Sequence, residues 1–301
     1  MEAVAAMAAM AELGAVGRVF VLRGAIASES HLLEELSRLA RVGVDDPGLL
    51  RKPVRVIVPS RSLREQLSAR LVARCGRAVA GFSIQTLDAL VASTLARAGE
   101  PTSSDSALLP ALIRQLARRE ACLRESLDGL SRGYAPVVGE VADLLDAGLE
   151  SAHADAAIEL IGEFGRSELA KRAQAVVRVA ARASEQLEEL GIGHLSTRVR
   201  RARELIDADP ERIIPARAVF VFGYADATGL QADLIETLLR RCGACVYLDH
   251  PADPDDPSRP DPGVAFSDRF SARMRGTVGV ETLDLSASRS RTEVRVLRAP
   301  G

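Results

Sequence analysis

The chain has 301 residues, enough for two compact units, and its 39 basic and 41 acidic side chains nearly cancel. That balance excludes the global positive field of a small dedicated DNA-binding domain, so any nucleic-acid contact must be local. With no Trp and 3% aromatic residues, the chain favours helices and small-residue packing over a β-sandwich and offers few platforms for stacking single strands.

The N-terminal stretch MEAVAAMAAMAELGAVG is apolar, but it carries Glu2 and Glu12 and lacks the basic leader of a signal peptide. Arg18 to Leu22 is a β-branched, nearly continuous apolar run, the pattern of a strand buried on both faces. Gly24-Ala25-Ile26-Ala27-Ser28-Glu29-Ser30-His31 follows, where a phosphate-binding loop would sit. Such a loop needs a second glycine for close backbone approach, a lysine for the β and γ oxygens and a hydroxyl for Mg²⁺. Those places hold Glu29, Ser30 and His31. Glu29 would set a carboxylate at a helix N-terminus that should receive phosphate. Gly24, Ser28, Ser30 and His31 therefore read as the vestige of a nucleotide loop, with Ser28 or Ser30 capping an ordinary strand-to-helix turn. No ATP or Mg²⁺ cofactor is expected.

A helix over His31 to Arg41 leads to a second strand at Val54 to Val58 and a helix over Ser62 to Arg74, with Gly43 and Gly76 just past the two helix ends. A weaker run at Ala78 to Ile84 reads as a third strand, followed by a helix from about Thr86 to Arg97. Ser60, Arg61, Gln85 and Thr86 fall near the carboxyl ends of these strands, where open α/β sheets bind ligands and helix N-termini meet phosphate. Short polar residues there are also routine helix caps.

From about Pro101 to Asp209 no strand is convincing and the spacing turns helical, as in Leu108, Leu109, Leu112, Ile113 and Leu116. Turns are marked by Gly133, by Gly162 with Gly165, by Gly191-Ile192-Gly193 and by Asp209-Pro210. Arginine-rich stretches at Arg114 to Arg124 and Arg198 to Arg203 are interleaved with acids, as on solvated helix faces. The strand pattern then resumes at Ala218 to Phe222 and Ala244 to Leu248, so the helical block is an insertion within one domain. Cys242 and Cys245 form a single CxxC near His250 without a second ligand pair, which points to packing rather than zinc, and no metal is expected. PADPDDPSRPDPG reads as an exposed loop, followed by a helix near Phe266 to Met274 and strands near Val280 to Leu285 and Glu293 to Leu297. The ending at Arg298 to Gly301 suits entry into a further segment, so truncation is expected. No apolar run approaches the about 18 residues that span a bilayer. A cytoplasmic protein with reduced thiols and no membrane association is expected.

Several segments together carry a resemblance. VIVPSRSLREQLSARL is similar to motif Ia, and SIQTLDALVASTL to motif Ib, of AddB/RexB-type helicase-nuclease subunits, relatives of UvrD-type helicases that carry PD-(D/E)XK nuclease domains. VFVFGYADATGLQADLIETLL is similar to the strand, Gly-aromatic turn and helix that replace the helicase acidic box, and ETLDLSASRSRTEVRVLRAPG resembles the passage toward the second half of the motor. The resemblance implies a RecA-like α/β fold, a P-loop-type parallel sheet with an all-helical insertion. Residues 1–100 would be the first part of the motor domain, 101–210 a 1B-like insertion and 211–301 the second part, ending before the second motor domain and the nuclease. By alignment Phe222 and Gly223 stand where active motors hold Mg²⁺ with an acidic pair.

The function expected is a non-hydrolysing, helicase-like region that holds single-stranded DNA or DNA ends and scaffolds a repair nuclease, with an AddA-type helicase-nuclease subunit as partner. Ser60, Arg61, Gln85 and Thr86 are the backbone-contact candidates. One alternative is an active, atypical NTPase, for which Arg23 is the nearby substitute for the missing lysine. Another is a protein-interaction module that does not bind DNA.

Overall fold

A computed structural model describes residues 16–41, 50–100, 108–165, 167–190, 192, 194–225, 227, 229–250 and 262–285. The fold is α/β, with one all-parallel sheet and an all-helical insertion, the fold class expected of a RecA-like chain. The strands are β1 (Arg18–Arg23), β2 (Val54–Val58), β3 (Phe82–Thr86), β4 (Ala218–Val221), β5 (Cys245–His250) and β6 (Glu281–Asp284), in the order β3-β2-β4-β5-β1-β6. β1 and β4 thus share one sheet although the insertion separates them in sequence.

The sheet belongs to a first compact unit built from the described residues of 1–90, 209–226 and 235–301. Helices α1 (Ala25–Arg41) and α2 (Arg61–Cys75) follow β1 and β2 and pack on one face. Their Leu32, Leu36, Leu67 and Leu71 are fully or almost fully buried against Val54, Val56, Val58, Phe220 and Tyr247. Gly76 ends α2 in the left-handed conformation, φ 66°, and its N–H donates to Val72 and Ala73 carbonyls, as a C-cap glycine should.

The later connections, β4 to β5 through α11 (Gly229–Cys242) and β5 to β6 through α12 (Pro262–Arg275), run the opposite way across the sheet. Right-handed crossovers place such helices on the opposite face. An ion pair between Arg273 of α12 and Glu236 of α11, 3.0 Å long, ties the two together.

The second unit comprises the described residues of 91–208 and 227–234. It takes in the end of α3 (Leu87–Ala98), then α4 (Leu108–Ala117), α5 (Ala121–Leu127), α6 (Ala135–Asp146), α7 (Ser151–Glu163), α8 (Glu168–Glu189) and α9 (Leu195–Ala208). The apolar faces of α4, α6 and α8 close its core around Ile113, Leu116, Val141, Leu145, Val179 and Ala183. A four-residue helix, α10 (Pro210–Ile213), leads back toward β4, capped by Asp209, whose carboxylate accepts from Arg212 N.

Several expected boundaries move. α1 begins at Ala25 rather than His31, so neither Ser28 nor Ser30 is a cap. Ser28 and Glu29 are buried on the same stripe as Leu32, Leu33 and Leu36, and polar residues in apolar places hid the first two turns. β3 lies later than Ala78 to Ile84, because pairing with β2 starts where Val54 N donates to Gly81 O. Gly162 is inside α7 rather than at a turn, and Pro262 and Gly263, read as loop, open α12. Gly43, the Gly191 and Gly193 turn residues, most of the Pro/Asp-rich stretch and the strand at Glu293 to Leu297 lie outside the described residues.

Candidate functional site

In an open parallel sheet, ligands bind beyond the carboxyl ends of the strands, where neighbouring strands send their helices to opposite faces. The strand order creates such a crevice between β1 and β5 and another between β2 and β4.

The first crevice is closed. One residue, Gly24 with φ 88°, separates β1 from α1. Ser28 N already donates to Gly24 O at 3.1 Å, the first bond of the helix. A phosphate cradle needs several successive free amides in a wide loop. Here the Gly24 N–H donates to Asp249 Oδ1 of β5 at 2.8 Å, so a carboxylate already occupies the anion-binding direction.

Of the four residues assigned to the vestigial loop, Gly24 alone lies in the turn; Ser28, Ser30 and His31 are helical. Ser28 is buried, Ser30 is exposed, and His31 Nδ1 lies 3.2 Å from Tyr247 Oη beside the stacked rings of Phe20 and Tyr247. Glu29 is turned onto α2, where Arg70 lies 2.7 Å away and Gln66 donates to it at 3.2 Å. Its carboxylate therefore joins two helices instead of facing the turn. The side chain of Arg23 lies outside the described residues.

Ser60 and Arg61 follow β2 at the second crevice, while Gln85 and Thr86 end β3, which flanks β2 on the side away from β4. β2 and β3 pair in parallel with Ile57 opposite Gln85 and Val58 opposite Thr86. Ser60, extended at φ −138°, caps α2 by accepting from Leu63 N at 3.2 Å. Thr86 Oγ1 does the same for Ala89 N at 3.3 Å, at the start of α3. Both hydroxyls are thus used locally, and each marks a helix N-terminus at the carboxyl end of its strand, with the partial positive charge that such ends carry. Asp88 already supplies an acid in the first turn of α3, whereas α2 has none in its own.

Arg61 is 80% exposed at the first turn of α2 and donates to Glu65 at 2.9 Å. The hydrogen bond from Arg61, reinforced by its charge, holds the Glu65 carboxyl below its ordinary range. An exposed i,i+4 pair of this kind is weak and salt-screened, so an incoming phosphate can compete for the guanidinium. Gln85 accepts from Ser83 at 3.4 Å, while its buried Nε2 finds no hydrogen-bond partner among the described residues.

Tyr224 is the residue sequence reasoning missed. It follows β4, is 6% exposed, and its hydroxyl also has no partner among the described residues. Burial, with a smaller push from the Asp88 charge, raises its pKa. Gly223 just before it has φ 83°, and a Cβ there would collide with the Leu63 side chain. The β4 turn is therefore pressed onto the β2 turn, and a side chain in place of Gly223 would push them apart. The signal was the Gly-aromatic pair itself, whose aromatic member reads as core on hydropathy alone.

In the helical unit, the arginines of Arg198 to Arg203 are largely committed to carboxylates: Arg200 to Glu150, Arg201 to Glu100 and Glu204, Arg203 to Asp233. In the earlier stretch, Arg118 lies over the Tyr134 ring, 5.7 Å from its centre. Cys75, Cys122, Cys242 and Cys245 are free thiols, and burial pushes Cys242 and Cys245 up to about 12. No helix among the described residues is long and apolar enough to cross a membrane. No protein-family model matches the chain, and no curated protein matches it.

Proposed function

We propose that this chain is a non-hydrolysing, helicase-like region that holds single-stranded DNA or DNA ends at the β2–β4 crevice and scaffolds a helicase-nuclease of the AddB/RexB type, beside an AddA-type subunit. The observation that carries the reading is the contrast between the two crevices. One is shut by the Gly24–Asp249 hydrogen bond, while at the other lie the α2 N-terminus with the exposed Arg61 and, after β4, the buried Tyr224 Oη; this atom and Gln85 Nε2 on the neighbouring β3 have no hydrogen-bond partner among the described residues. Donors of this kind contact backbone phosphates without reading sequence. With near-neutral net charge, binding should be weak, about micromolar or looser at physiological salt.

Titration of labelled single-stranded and end-containing oligonucleotides at several salt concentrations tests it. Replacing Arg61 by Ala should weaken binding equally for all sequences and make the salt slope shallower by about one unit. No binding at low salt, or an unchanged slope, would remove the proposed contact.

A second reading, an interaction module without DNA binding, draws on one observation in the helical unit. Leu160, Phe164 and Leu169 around the α7–α8 turn are 55%, 85% and 77% exposed. Loss of a partner subunit on changing Phe164 to Ser, in a chain that binds no DNA even at low salt, would favour it.

A further inference from the structure

The outer face of α7 carries two exposed rows. Ala152, Ala156, Leu160 and Phe164 recur every fourth residue, and Phe164, the C-cap, keeps helical backbone angles of φ −73° and ψ −3°. Ala154, Ala157, Ile158 and Ile161 point the other way and pack with Val177 and Ala181 of α8. Beside the apolar row runs an acidic one, Asp155, Glu159 and Glu163, also exposed and without an ion pair among the described residues. Neither row helps the chain to fold by itself. Carboxylates at i and i+4 repel each other. Glu163 stands at a helix carboxyl end, already partly negative, and the last turn holds no basic residue. The apolar row remains in water.

We propose that this face of α7 docks a basic amphipathic helix of a partner protein. Helices are recognised through side chains at such spacings, so an apolar row flanked by carboxylates fits an apolar row flanked by Lys or Arg. The 13 residues of α7 extend about 20 Å, enough for a partner helix of about four turns. Across the turn, Lys171 is taken up by Glu168 at 2.7 Å. Setting Arg166 and Arg172, the arginines that follow α7 in sequence, against the three carboxylates of the row still leaves it negative. A second copy docked antiparallel through the same face would set acidic row beside acidic row, and an anionic lipid surface would repel it. The inference rests on reading this turn as an interaction surface, and it holds whether or not the chain binds DNA at the sheet.

Titration of the full chain into labelled synthetic helices of about 15 residues, followed by fluorescence anisotropy, tests the proposal. The peptides share one leucine row and carry Lys, Gln or Glu in the row beside it. The Lys peptide should bind about tenfold or more tighter than the Glu peptide at low salt and lose that advantage as salt rises. Phe164→Ser should weaken its binding about tenfold or more, and Glu159→Gln combined with Glu163→Gln about threefold to tenfold. Glu34→Gln on α1, in the other unit, should bind like the parent. All these positions are exposed, so thermal melting should show each variant folded. Equal binding of all the peptides, lost in Phe164→Ser, would keep the interaction surface and overturn the basic partner. Self-association of the chain that Phe164→Ser abolishes would assign the face to a second copy and overturn it too. No binding by any peptide, or an affinity untouched by Phe164→Ser, would overturn both the partner and the surface.

Discussion

The amide of Gly24 donates to Asp249 Oδ1 across 2.8 Å, joining the carboxyl ends of β1 and β5 at the point where a nucleotide phosphate would have to enter. The turn after β1 thus lacks, in its architecture as well as in its side chains, the wide loop of free amides that a phosphate cradle needs. A lysine placed at Ser30 would sit exposed within α1, with no loop of free amides to work beside. Neither the parent chain nor Ser30→Lys should hydrolyse ATP, and millimolar Mg-ATP should leave the thermal midpoint of both within about 1 °C, because a ligand that does not bind the native state cannot stabilise it. A rise of several degrees would show a nucleotide site.

The same hydrogen bond predicts a graded response at Asp249. Asn keeps an acceptor oxygen for the Gly24 N–H, whereas Ala removes it and leaves the amide to water. Urea unfolding should find Asp249→Asn within about 0.5 kcal/mol of the parent and Asp249→Ala destabilised by about 1 kcal/mol or more. Equal effects would mean that the carboxylate charge, not the acceptor, matters at this turn.

Cys242 and Cys245 set an alkaline limit. Their folded-state values near 12, caused first by burial, lie above the about 8.5 of an unfolded thiol. The unfolded chain therefore ionises first, and the stability these thiols contribute is fully present below about pH 8.5 and is lost as pH rises toward 12. Cys245, 2% exposed, should be unreactive toward thiol reagents at pH 8 in the native state. Cys245→Ala should cost stability at neutral pH through the cavity it leaves, yet flatten the alkaline decline by up to about 1.4 kcal/mol per pH unit. Parallel declines in parent and variant would dissociate the thiol from the effect.

The readability of the sequence follows from what hydropathy encodes. β2 coincides with its expected span, Val54 to Val58, and β1 and β4 match to within a residue, because a strand buried on both faces is a continuous apolar run bounded by polar residues. β3 was displaced because its own residues, Phe-Ser-Ile-Gln-Thr, alternate at a half-buried sheet edge, whereas the small apolar Ala78 to Ala80 ahead of it mimic a strand. The early start of α1 was hidden by Ser28 and Glu29, whose burial depends on Arg70 and Gln66 of another helix, information that no local window contains. Ser60, Arg61, Gln85 and Thr86 are legible in the sequence as short polar or charged residues at the carboxyl ends of β2 and β3. Tyr224 was missed because the lack of a partner for its hydroxyl among the described residues is visible only once the packing around the ring is known.

Tyr224 also offers the most discriminating test of the crevice. Its ring is buried after β4, burial raises the hydroxyl pKa, and among the described residues the oxygen has no hydrogen-bond partner. A buried polar group left unsatisfied costs about 1–3 kcal/mol, so a chain selected only for stability would do better with Phe at this place. Tyr224→Phe should accordingly leave folding stability unchanged or raise it by about 1 kcal/mol, measured by the urea midpoint at constant slope. If the hydroxyl serves a phosphate or sugar oxygen in the crevice, the same substitution should weaken single-stranded DNA binding about threefold to tenfold, the value of one hydrogen bond. Because the removed group carries no charge, the salt dependence should stay that of the parent, unlike the shallower slope expected for Arg61→Ala. Stability and affinity would then move in opposite directions at one atom, which packing alone cannot produce. A variant that gains stability with DNA affinity intact would assign Tyr224 to the core and detach it from the site.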